Sequence, residues 1–332
     1  MTPRGTDWGL AGLVGLLAVT GFMTWFAATP PERWVFTVHD IAALALAGLL
    51  VWKFRRVLRR ARGAGLAAAI LVSLTLLTGI VWATTGRLSI AGYTVLTWHG
   101  VFGALLAVIV LGHALARAKR PRRRDLADRR QFFTVMGIGA FAAGTYLLQR
   151  PVSRALGLSG GRRRFTGSYD IPHGDFPVTS WLADDPDPLD GERWRLRVDG
   201  AVEKPLALAA SYLTGDELVA TLDCTGGFAC TRRWSGIRLD ALVAQARPRA
   251  GASHVRIHSV TGYRASFPLD EAKGMLLATG LEGEPLSHGH GAPARLVAPQ
   301  RRGFQWVKWV TRVEVADGPD PGALLSTITS SI

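Results

Sequence analysis

One cysteine in a glycine-rich turn is the first residue of this sequence that could do chemistry. Cys224 lies in residues 221–227 (TLDCTGG), after a strand-like run and before residues 234–239 (WSGIRL). A thiolate presented on such a turn is a ligand for a soft metal ion. A buried cysteine that only packs is the more common structure, so this pattern alone leaves both interpretations open.

His39, His99 and His113 fall within long apolar segments. Ionisable side chains are costly inside a bilayer and usually have a specific partner. His39 lies about 8 Å and His99 about 10 Å from the same end of their predicted helices, at about 1.5 Å per residue. Two neutral imidazoles at matching depth can ligate the iron of one b-type haem from opposite faces. The alternative is polar packing against Thr or Ser on adjacent helices.

His113 lies about 21 Å further along its predicted helix than His99, and the sequence places no second histidine at that level. A second haem with two histidine ligands is therefore not expected. The His113 side chain could instead form an interfacial hydrogen bond, belong to a quinone site or act as an alternative haem ligand.

The chain has 332 residues and a formal net charge of +14, and much of the excess lies in two basic bursts beside apolar segments. The first comprises Lys53, Arg55, Arg56, Arg59, Arg60 and Arg62, and the second Arg117, Lys119, Arg120, Arg122, Arg123, Arg124, Arg129 and Arg130. This placement follows the positive-inside rule for cytoplasmic loops and argues against nucleic-acid binding. The two cysteines exclude a disulfide scaffold and a cluster held by four thiolates.

Five segments approach the roughly 20 apolar residues that cross a bilayer. We predict them at residues 8–28, 34–52, 64–83, 92–116 and 132–148. If both basic bursts are cytoplasmic, the N-terminus is inside and the fifth span exits outward. The predicted organisation is a helical domain over residues 1–150 in the lipid of a bacterial cell membrane, a linker over 151–164, and an extracytoplasmic soluble domain over 165–332.

The fifth predicted span begins after Arg129 and Arg130, in residues 129–133 (RRQFF). This pair resembles a twin-arginine signal, a class of signal that exports domains already folded, often around a cofactor. The alternative is that both arginines only extend the cytoplasmic basic cluster. A cofactor in the soluble domain favours the export signal.

Beyond residue 165, short β-type runs alternate with turns. Strands are predicted at residues 194–198, 218–222, 254–258 and 295–298, and helices at 207–213 and 238–246. The expected class of this half is β-rich α+β, which follows an all-α membrane bundle.

Three separated motifs of this half resemble the oxidoreductase molybdopterin-binding family, which has the sulfite-oxidase-type fold. They are residues 221–227, residues 288–297 (HGHGAPARLV) and residues 303–310 (GFQWVKWV). The resemblance spans residues 165–317 and is closest in style to the catalytic subunit of periplasmic methionine sulfoxide reductases. It implies a Mo-molybdopterin cofactor and two-electron chemistry.

The resemblance also implies the functional residues. Cys224 stands where the family's cysteine binds molybdenum, and His290 corresponds to a residue that hydrogen-bonds the pterin. Arg295 and Lys308 resemble the cations that hold the pterin and its phosphate, a dianion that calls for charge-assisted donors. Further cofactor contacts are expected from an early strand at 176–180, which contains Phe176, Val178 and Thr179, and from Val307, Ser259 or Thr261, the last two near Tyr263.

Two departures from sulfite oxidases bear on the reaction. Thr179 stands where those enzymes place an anion-binding arginine, and the chain ends soon after the cofactor motifs, where they carry a dimerisation domain. Both departures disfavour sulfite oxidation. The missing anion site could be replaced by one of four arginines, namely Arg232, Arg233, Arg301 and Arg302.

The preferred hypothesis is a membrane-anchored molybdenum oxidoreductase that acts on a small-molecule substrate, with reduction of an S-oxide or N-oxide favoured. Electrons are exchanged with quinone through the haem held by His39 and His99, and a separate redox protein could also be a partner. The alternatives are a sulfite-type dehydrogenase, a non-catalytic binding module that keeps the fold, and a membrane cytochrome with an interaction domain. Cys230 is expected to be free, because a disulfide to Cys224 would compete with the metal.

Overall fold

A computed structural model describes residues 2–57, 63–86, 88–117, 129–180 and 184–330 of the chain. The chain divides into two units, Met1–Asp170 and Ile171–Ile332, so the division falls beyond the predicted linker. The long helices of the first unit are α1 (Pro3–Met23), α2 (Arg33–Val57), α3 (Ala64–Thr85), α4 (Val95–Arg117) and α5 (Arg129–Ala155). An α-helical half followed by a β-rich half confirms the predicted fold class.

The start of α1 lies before the predicted span at residues 8–28. The Thr2 hydroxyl accepts a hydrogen bond from the Gly5 N–H (3.1 Å), which caps the first turn of the helix. Pro3 occupies the first helical position, where the missing N–H of proline costs nothing. These two residues move the start of the helix towards the N-terminus.

The end of α5 lies beyond the predicted span, because the helix continues to Ala155. The first residues of the predicted linker are therefore helical. Arg154 Nε donates to the Gly161 carbonyl (3.0 Å), which connects the last turn of α5 to the 3-10 turn Ser159–Arg162. This contact stabilises helical structure where sequence composition alone predicts a linker.

Apolar side chains fill the inside of the helical unit and also cover its outside. The buried cluster consists of Val14, Leu46, Leu50, Val72 and Leu106. On the outside, Val108 is 73 % exposed and Leu147 is 69 % exposed. By length and composition, all five helices are apolar enough to cross a membrane.

A short hairpin separates α3 from α4, and consists of β1 (Ser89–Ile90) and β2 (Tyr93–Thr94). Its turn residues Ala91 and Gly92 have φ values of 52° and 81°, in the left-handed region that tight two-residue hairpin turns use. The fourth helix therefore starts at residue 95 and not at the predicted residue 92. A further short strand, β3 (Tyr169–Asp170), ends the first unit.

The second unit contains ten strands within its described residues. They are β4 (Leu196–Gly200), β5 (Leu206–Leu208), β6 (Asp216–Asp223), β7 (Phe228–Arg238), β8 (His254–Ser259), β9 (Arg264–Pro268), β10 (Leu276–Leu281), β11 (Glu284–Pro285), β12 (Arg295–Val297) and β13 (Val310–Ala316). Two helices accompany them, α6 (Leu239–Ala246) and α7 (Ala323–Thr329). Short 3-10 turns lie in this unit at Ala210–Tyr212, Leu269–Gly274, His288–His290 and Gly303–Gln305, and in the first unit at Pro30–Glu32.

Two sheets of the second unit share one hydrophobic core. One sheet has the order β5-β4-β13-β8-β9, in which β4 and β13 are parallel and the other pairs are antiparallel. In the other sheet, β7 pairs with both β6 and β10, and β10 also pairs with β11 and β12, all antiparallel. Val198, Trp234 and Val313 are among the side chains of both sheets that are buried in this core.

Two predicted elements are wrong. The helix predicted at residues 207–213 is instead β5 followed by the turn Ala210–Tyr212, because Leu206–Leu208 pairs with β4. Tertiary pairing outweighs the helix propensity of alanine and leucine here. Residues 176–180, predicted as an early strand, do not form a strand. The other predicted strands and the helix at 238–246 are confirmed, with small shifts of their ends.

Gly236 lies where β7 and β10 come closest, because a Cβ atom there would lie 2.0 Å from the Leu277 carbonyl oxygen. We expect Gly236→Ala to destabilise the protein by roughly 3 kcal/mol, because overpacking forces the two strands apart. The control is Gly274→Ala, since a Cβ at Gly274 meets no atom within 4 Å. Thermal unfolding of the purified full chain, followed by tryptophan fluorescence, should show a lower midpoint for Gly236→Ala alone. Equal midpoints for both variants would contradict this packing.

Candidate cofactor site

Cys224 lies at the tip of the hairpin formed by β6 and β7. Asp223, the last residue of β6, pairs with Ala229, and the Cys224 N–H donates to the Phe228 carbonyl (2.8 Å). The Gly227 N–H donates to the Cys224 carbonyl (3.0 Å), with Gly227 at a φ of 92°. The predicted cysteine turn is therefore present, and it places Cys224 at the end of the sheet.

Two hydrogen-bond donors surround the sulfur of Cys224. The Gly226 N–H donates to Sγ (3.3 Å), and Thr179 Oγ1 lies 3.4 Å from the same sulfur. Cys224 is 7 % exposed, whereas Thr179 is exposed. The Gly226 N–H and the Thr179 hydroxyl therefore fix the position of the sulfur.

The Cys224 turn also packs against the start of the third motif. A Cβ atom on Gly303 would lie 2.8 Å from the Cys224 Cα, so glycine is required at this close approach. The preceding Arg302 donates from Nη1 to Asp223 Oδ1 (2.5 Å), and both side chains are buried. Sequence reasoning missed this ion pair. Its only signal was an acidic and a basic residue beside two of the family motifs.

Arg295 is a buried cation between two indole rings. Its Cζ atom lies 5.0 Å from the centre of the Trp234 ring and 5.8 Å from that of Trp306. Nη1 donates to the His290 carbonyl (3.0 Å) and Nη2 to the Trp306 carbonyl (3.4 Å), while Nε has no hydrogen-bond partner among the described residues. Burial lowers the pKa of Arg295 to about 10. A desolvated cation with only neutral acceptors favours an anionic ligand.

Lys308 connects the segment that carries Thr179 to the motif at residues 288–297. Its Nζ donates to the Thr179 carbonyl (2.7 Å) and to the Gly289 carbonyl (2.7 Å). Burial, followed by the positive charge of Arg295, lowers the pKa of Lys308 to about 8. An anion bound beside these two cations would offset their repulsion and favour the charged ammonium.

His290 uses both ring nitrogens in hydrogen bonds. Its Nε2 donates to the Phe176 carbonyl (3.2 Å), so in the neutral ring Nδ1 accepts from the Ser287 hydroxyl (2.9 Å). Burial lowers the pKa of His290, which favours this neutral form. The His290 and Phe176 rings also pack together, with centroids 4.2 Å apart. To contact a pterin directly, the His290 ring would have to exchange one of these two partners.

Val178 and Val307 lie beside these polar groups. Val178 is exposed, and a Cβ atom on Gly289 would lie 2.7 Å from its Cγ2, so the absence of a side chain at Gly289 admits Val178. Val307 is buried, and its carbonyl accepts from the Leu296 N–H (2.7 Å). This bond fixes the backbone immediately before Lys308.

Ser259 and Thr261 bond each other in the turn after β8. The Ser259 hydroxyl accepts from the Thr261 hydroxyl (3.1 Å) and from the Thr261 N–H (3.3 Å). The nearby Tyr263 hydroxyl donates to the Phe304 carbonyl (2.5 Å), which supports the third motif. A cofactor contact from Ser259 or Thr261 stays a prediction.

In the helical unit, His39 and His99 face each other with ring centroids 6.2 Å apart and ring planes at 77°. The His99 Nδ1 donates to the Thr75 carbonyl (2.9 Å). The Thr20 hydroxyl donates its hydrogen to the Leu16 carbonyl (2.8 Å) and therefore accepts from His39 Nδ1 (2.9 Å). In both neutral rings the proton is thus on Nδ1, and Nε2 carries the lone pair.

Glycines on neighbouring helices pack directly against these two rings. A Cβ atom on Gly21 would lie 3.3 Å from His39 Cε1, and one on Gly79 would lie 3.1 Å from His99 Cε1. His113 lies near the other end of α4 and is exposed. The structure therefore brings two of the three apolar-segment histidines together, as their predicted depths indicate.

Residues 183–324 match the family described as "Oxidoreductase molybdopterin binding domain". These residues form a molybdopterin-binding oxidoreductase domain. The match covers the second and third motifs and the cysteine turn, in the order that the sequence predicts. The molybdopterin domain is thus confirmed for the second unit, and the helical unit lies outside the matched residues.

Curated relatives of the molybdopterin domain include two proteins described as "Protein-methionine-sulfoxide reductase catalytic subunit MsrP". The one from Gluconobacter oxydans is 30 % identical over 39 % of this chain and 48 % of its own length. The one from Xanthomonas campestris is 30 % identical over 37 % of this chain and 45 % of its own length. The chain therefore spans about half the length of these curated relatives.

Two further relatives have names that refer to other substrates. A "Nitrate reductase (NADPH)" from Mycosarcoma maydis is 31 % identical over 45 % of this chain and 19 % of its own length. Among solved structures, the sulfane dehydrogenase SoxCD from Paracoccus pantotrophus is 28 % identical over 40 % of each chain, with a TM-score of 0.38.

The residues around Cys224 fit the cofactor that gives the molybdopterin domain its name. The unpartnered Nε of buried Arg295, together with the Lys308 ammonium, suits an anionic group such as a pterin phosphate. Within the described ranges, no group of three or more His, Cys, Asp or Glu side chains could hold a metal ion. Cys224 as the one protein ligand of molybdenum stays a prediction from the family resemblance.

Most of the arginines considered as a replacement anion site already have acceptors. The four are Arg232, Arg233, Arg301 and Arg302. Arg232 donates to the backbone carbonyls of residues 171, 172 and 174. Arg301 pairs with Glu271, and Arg302 pairs with Asp223. Arg233 is exposed on the face of β7 opposite to buried Arg232. Three of these four cations therefore bind groups of the molybdopterin domain itself.

The two cysteines make a matched pair for testing the metal ligand, because both are free and buried. Cys230 lies on β7 opposite Leu222, and burial raises its pKa to about 11, so its thiol stays protonated. We expect Cys224→Ser to lower turnover by at least about 100-fold, since even changes next to a metal ligand cost roughly 10–100-fold. Cys230→Ala should keep most of the turnover. Both variants are compared by molybdenum analysis and activity, and full turnover in Cys224→Ser would contradict the assignment.

Proposed function

We propose that this protein is a membrane-anchored molybdenum oxidoreductase that reduces a neutral S-oxide, with methionine sulfoxide as the model substrate. Electrons reach the catalytic site from the quinone pool through a b-type haem held by His39 and His99. The observation that carries the proposal is the Cys224 sulfur, which lies on a fixed turn 3.4 Å from Thr179 Oγ1. The two relatives described as protein-methionine-sulfoxide reductase catalytic subunits support the substrate class.

The side chains around the sulfur have distinct roles in this proposal. Mo-molybdopterin supplies two-electron oxo-transfer chemistry when it is bound. Cys224 holds the metal as a thiolate, with the Gly226 N–H and the Thr179 hydroxyl as hydrogen-bond donors to its sulfur. Arg295 and Lys308 neutralise the phosphate of the pterin and fix its orientation.

The charge around the site supports a neutral substrate. A sulfite or nitrate anion requires a cation that is free to bind it. The family resemblance places Thr179 where sulfite oxidases have such an arginine, and Arg232, Arg301 and Arg302 donate to acceptors within the domain. A neutral S-oxide or N-oxide needs no such cation.

The positions of His39 and His99 support the haem. Two imidazoles that bind one metal ion at about 2 Å each have ring centres roughly 6 Å apart, and the ring centroids here are 6.2 Å apart. Both Nδ1 atoms are hydrogen-bonded, to Thr20 and to the Thr75 carbonyl, so the Nε2 lone pairs are the ones directed to iron. Haem at this position supplies one-electron transfer between quinone and the molybdopterin site.

Five apolar helices support anchoring in a membrane. The positive-inside rule, applied to the two basic bursts, predicts an extracytoplasmic molybdopterin domain at a bacterial cell membrane. Most residues of these bursts, 58–62 and 118–128, lie outside the described residues. The twin-arginine interpretation of Arg129 and Arg130 stays a prediction.

The substrate is tested with purified holoprotein and reduced methyl viologen, a dye that can deliver electrons without the haem. We expect methionine sulfoxide to oxidise the dye at two electrons per sulfoxide, and nitrate to leave it reduced. In a separate arm, sulfite added to the oxidised protein should leave the haem oxidised. The Cys224→Ser variant is the control for dye oxidation away from the molybdenum site.

Two outcomes would replace the proposed activity. Reduction of the haem by sulfite would identify a sulfite-type dehydrogenase. A preparation from cofactor-competent cells that lacks stoichiometric molybdenum and turns over no substrate would identify a non-catalytic binding module that keeps the fold.

The haem ligands are tested by three alanine variants. We expect His39→Ala and His99→Ala to lose the b-type bands from the reduced-minus-oxidised spectrum, because one remaining imidazole binds haem far more weakly than two. His113→Ala, on the same helix as His99, should keep them. Methyl viologen turnover should persist in all three variants. Unchanged bands in both His39→Ala and His99→Ala would contradict the assignment of these two histidines as the haem ligands.

A further inference from the structure

Arg163 is a buried cation at the end of the helical unit where His39 lies. Its side chain is 9 % exposed, and its Nη2 is 3.8 Å from Asp40 Oδ2. Its Nε has no hydrogen-bond partner within the described part of the chain. Asp40 is the residue after His39 in α2, so the partner of this guanidinium is next in sequence to the proposed haem ligand.

Arg150 shares the same carboxylate, and the charge of Arg33 acts on Arg150. The charges of Arg33, Arg163 and Asp40 all act on Arg150, which donates from Nη2 to the Arg164 carbonyl (3.1 Å). Asp40 is the carboxylate that acts on Arg150, whereas the Glu32 carboxylate accepts from the N–H groups of residues 28 and 29. The described charged groups that interact here are thus three guanidinium groups and one carboxylate, which leaves an excess of two positive charges.

The backbone holds Arg163 in this place. A Cβ atom on Gly160 would lie 1.8 Å from the Ala83 carbonyl oxygen, so the segment packs directly on the end of α3. On the other side of Arg163, the ring of Phe165 packs edge-on against Phe36 of α2, with centroids 5.9 Å apart. The backbone on both sides of Arg163 therefore packs against helices α3 and α2. This packing places the guanidinium at the end of the helical unit.

We propose that Arg163 and Arg150 bind the two carboxylate groups of the haem held by His39 and His99. This inference rests on the haem of the proposed function. A desolvated guanidinium with too little counter-charge is costly, and two carboxylates supply the missing charge of minus two. Anionic lipid headgroups offer the same oxygen chemistry. Haem is favoured because Asp40, the partner of Arg163, directly follows a haem ligand.

The test compares Arg163→Gln with Arg162→Gln in full-length holoprotein. Arg162 is the exposed neighbour, so the control removes the same charge one position away. We expect Arg163→Gln to keep the b-type bands but to release haem to apomyoglobin about tenfold faster, the effect of losing one charge-assisted hydrogen bond. Its reduction potential should fall, because a nearby cation favours ferrous over ferric haem. Arg162→Gln should resemble the wild type.

Arg163→Lys is the second variant, and it keeps the measurement usable where Arg163→Gln does not fold. It retains the charge but lacks the planar guanidinium, so we expect a potential close to wild type with intermediate haem release. Equal release and equal potential in the Arg163 and Arg162 variants would overturn the proposal while leaving the haem in place. A wild-type protein without b-type bands would overturn the proposed haem as well.

Haem carboxylates and anionic lipid headgroups are distinguished as ligands of Arg163 by a repeat of the measurements under three conditions. These are detergent, nanodiscs of phosphatidylcholine and nanodiscs of phosphatidylglycerol. Binding of haem carboxylates predicts the same difference between Arg163→Gln and wild type in all three. A difference that appears only with phosphatidylglycerol would assign the cluster to a lipid phosphate and overturn the proposal.

Discussion

The close contact between Gly303 and Cys224 is the constraint on which the molybdopterin site depends. The backbone of the third motif approaches the Cys224 Cα so closely that no side chain fits between them. The buried pair of Asp223 and Arg302 holds the same two segments together from the adjacent positions. Because both contacts are formed by backbone or by fully buried charges, the sulfur has a defined position before any cofactor is considered.

The distribution of counter-charge separates the arginines that stabilise the fold from those that await a ligand. Arg256 leaves Nε without a hydrogen-bond partner in the described residues but has the Glu314 carboxylate nearby, and Arg302 pairs with Asp223. Arg295 has only neutral carbonyl acceptors and two indole rings. A buried cation with this surrounding is costly unless an anion joins it, and this physical reason connects Arg295 with a pterin phosphate.

The same reasoning applies in the helical unit, although the chemistry differs. Arg163 shares Asp40 with Arg150, so its charge is only partly compensated. In the same unit, His39 and His99 each donate the Nδ1 hydrogen to an oxygen of a neighbouring helix, which leaves the Nε2 lone pair of each neutral ring free of that proton. In the proposed function, these nitrogen groups would bind haem in the helical unit and the pterin phosphate in the molybdopterin domain.

The amino-acid sequence by itself determined the features that depend on local pattern. Hydropathy alone predicted the five apolar helices, and the order of three motifs predicted the molybdopterin domain. The matching depths of His39 and His99 predicted that their rings lie close together. These inferences succeed because each depends on residues close together in the chain, or on a helical rise that is nearly constant.

Only the tertiary structure decided the features that depend on distant partners. Residues 206–208 form a strand because β4 lies beside them, and residues 176–180 are held by His290 and Lys308 and not by strand pairing. Asp40 was overlooked although it follows His39, because its partner Arg163 comes from beyond the fifth helix. Whether a cation pairs with a group of the protein or stays available for a ligand depends on such long-range contacts. The local sequence does not show these contacts.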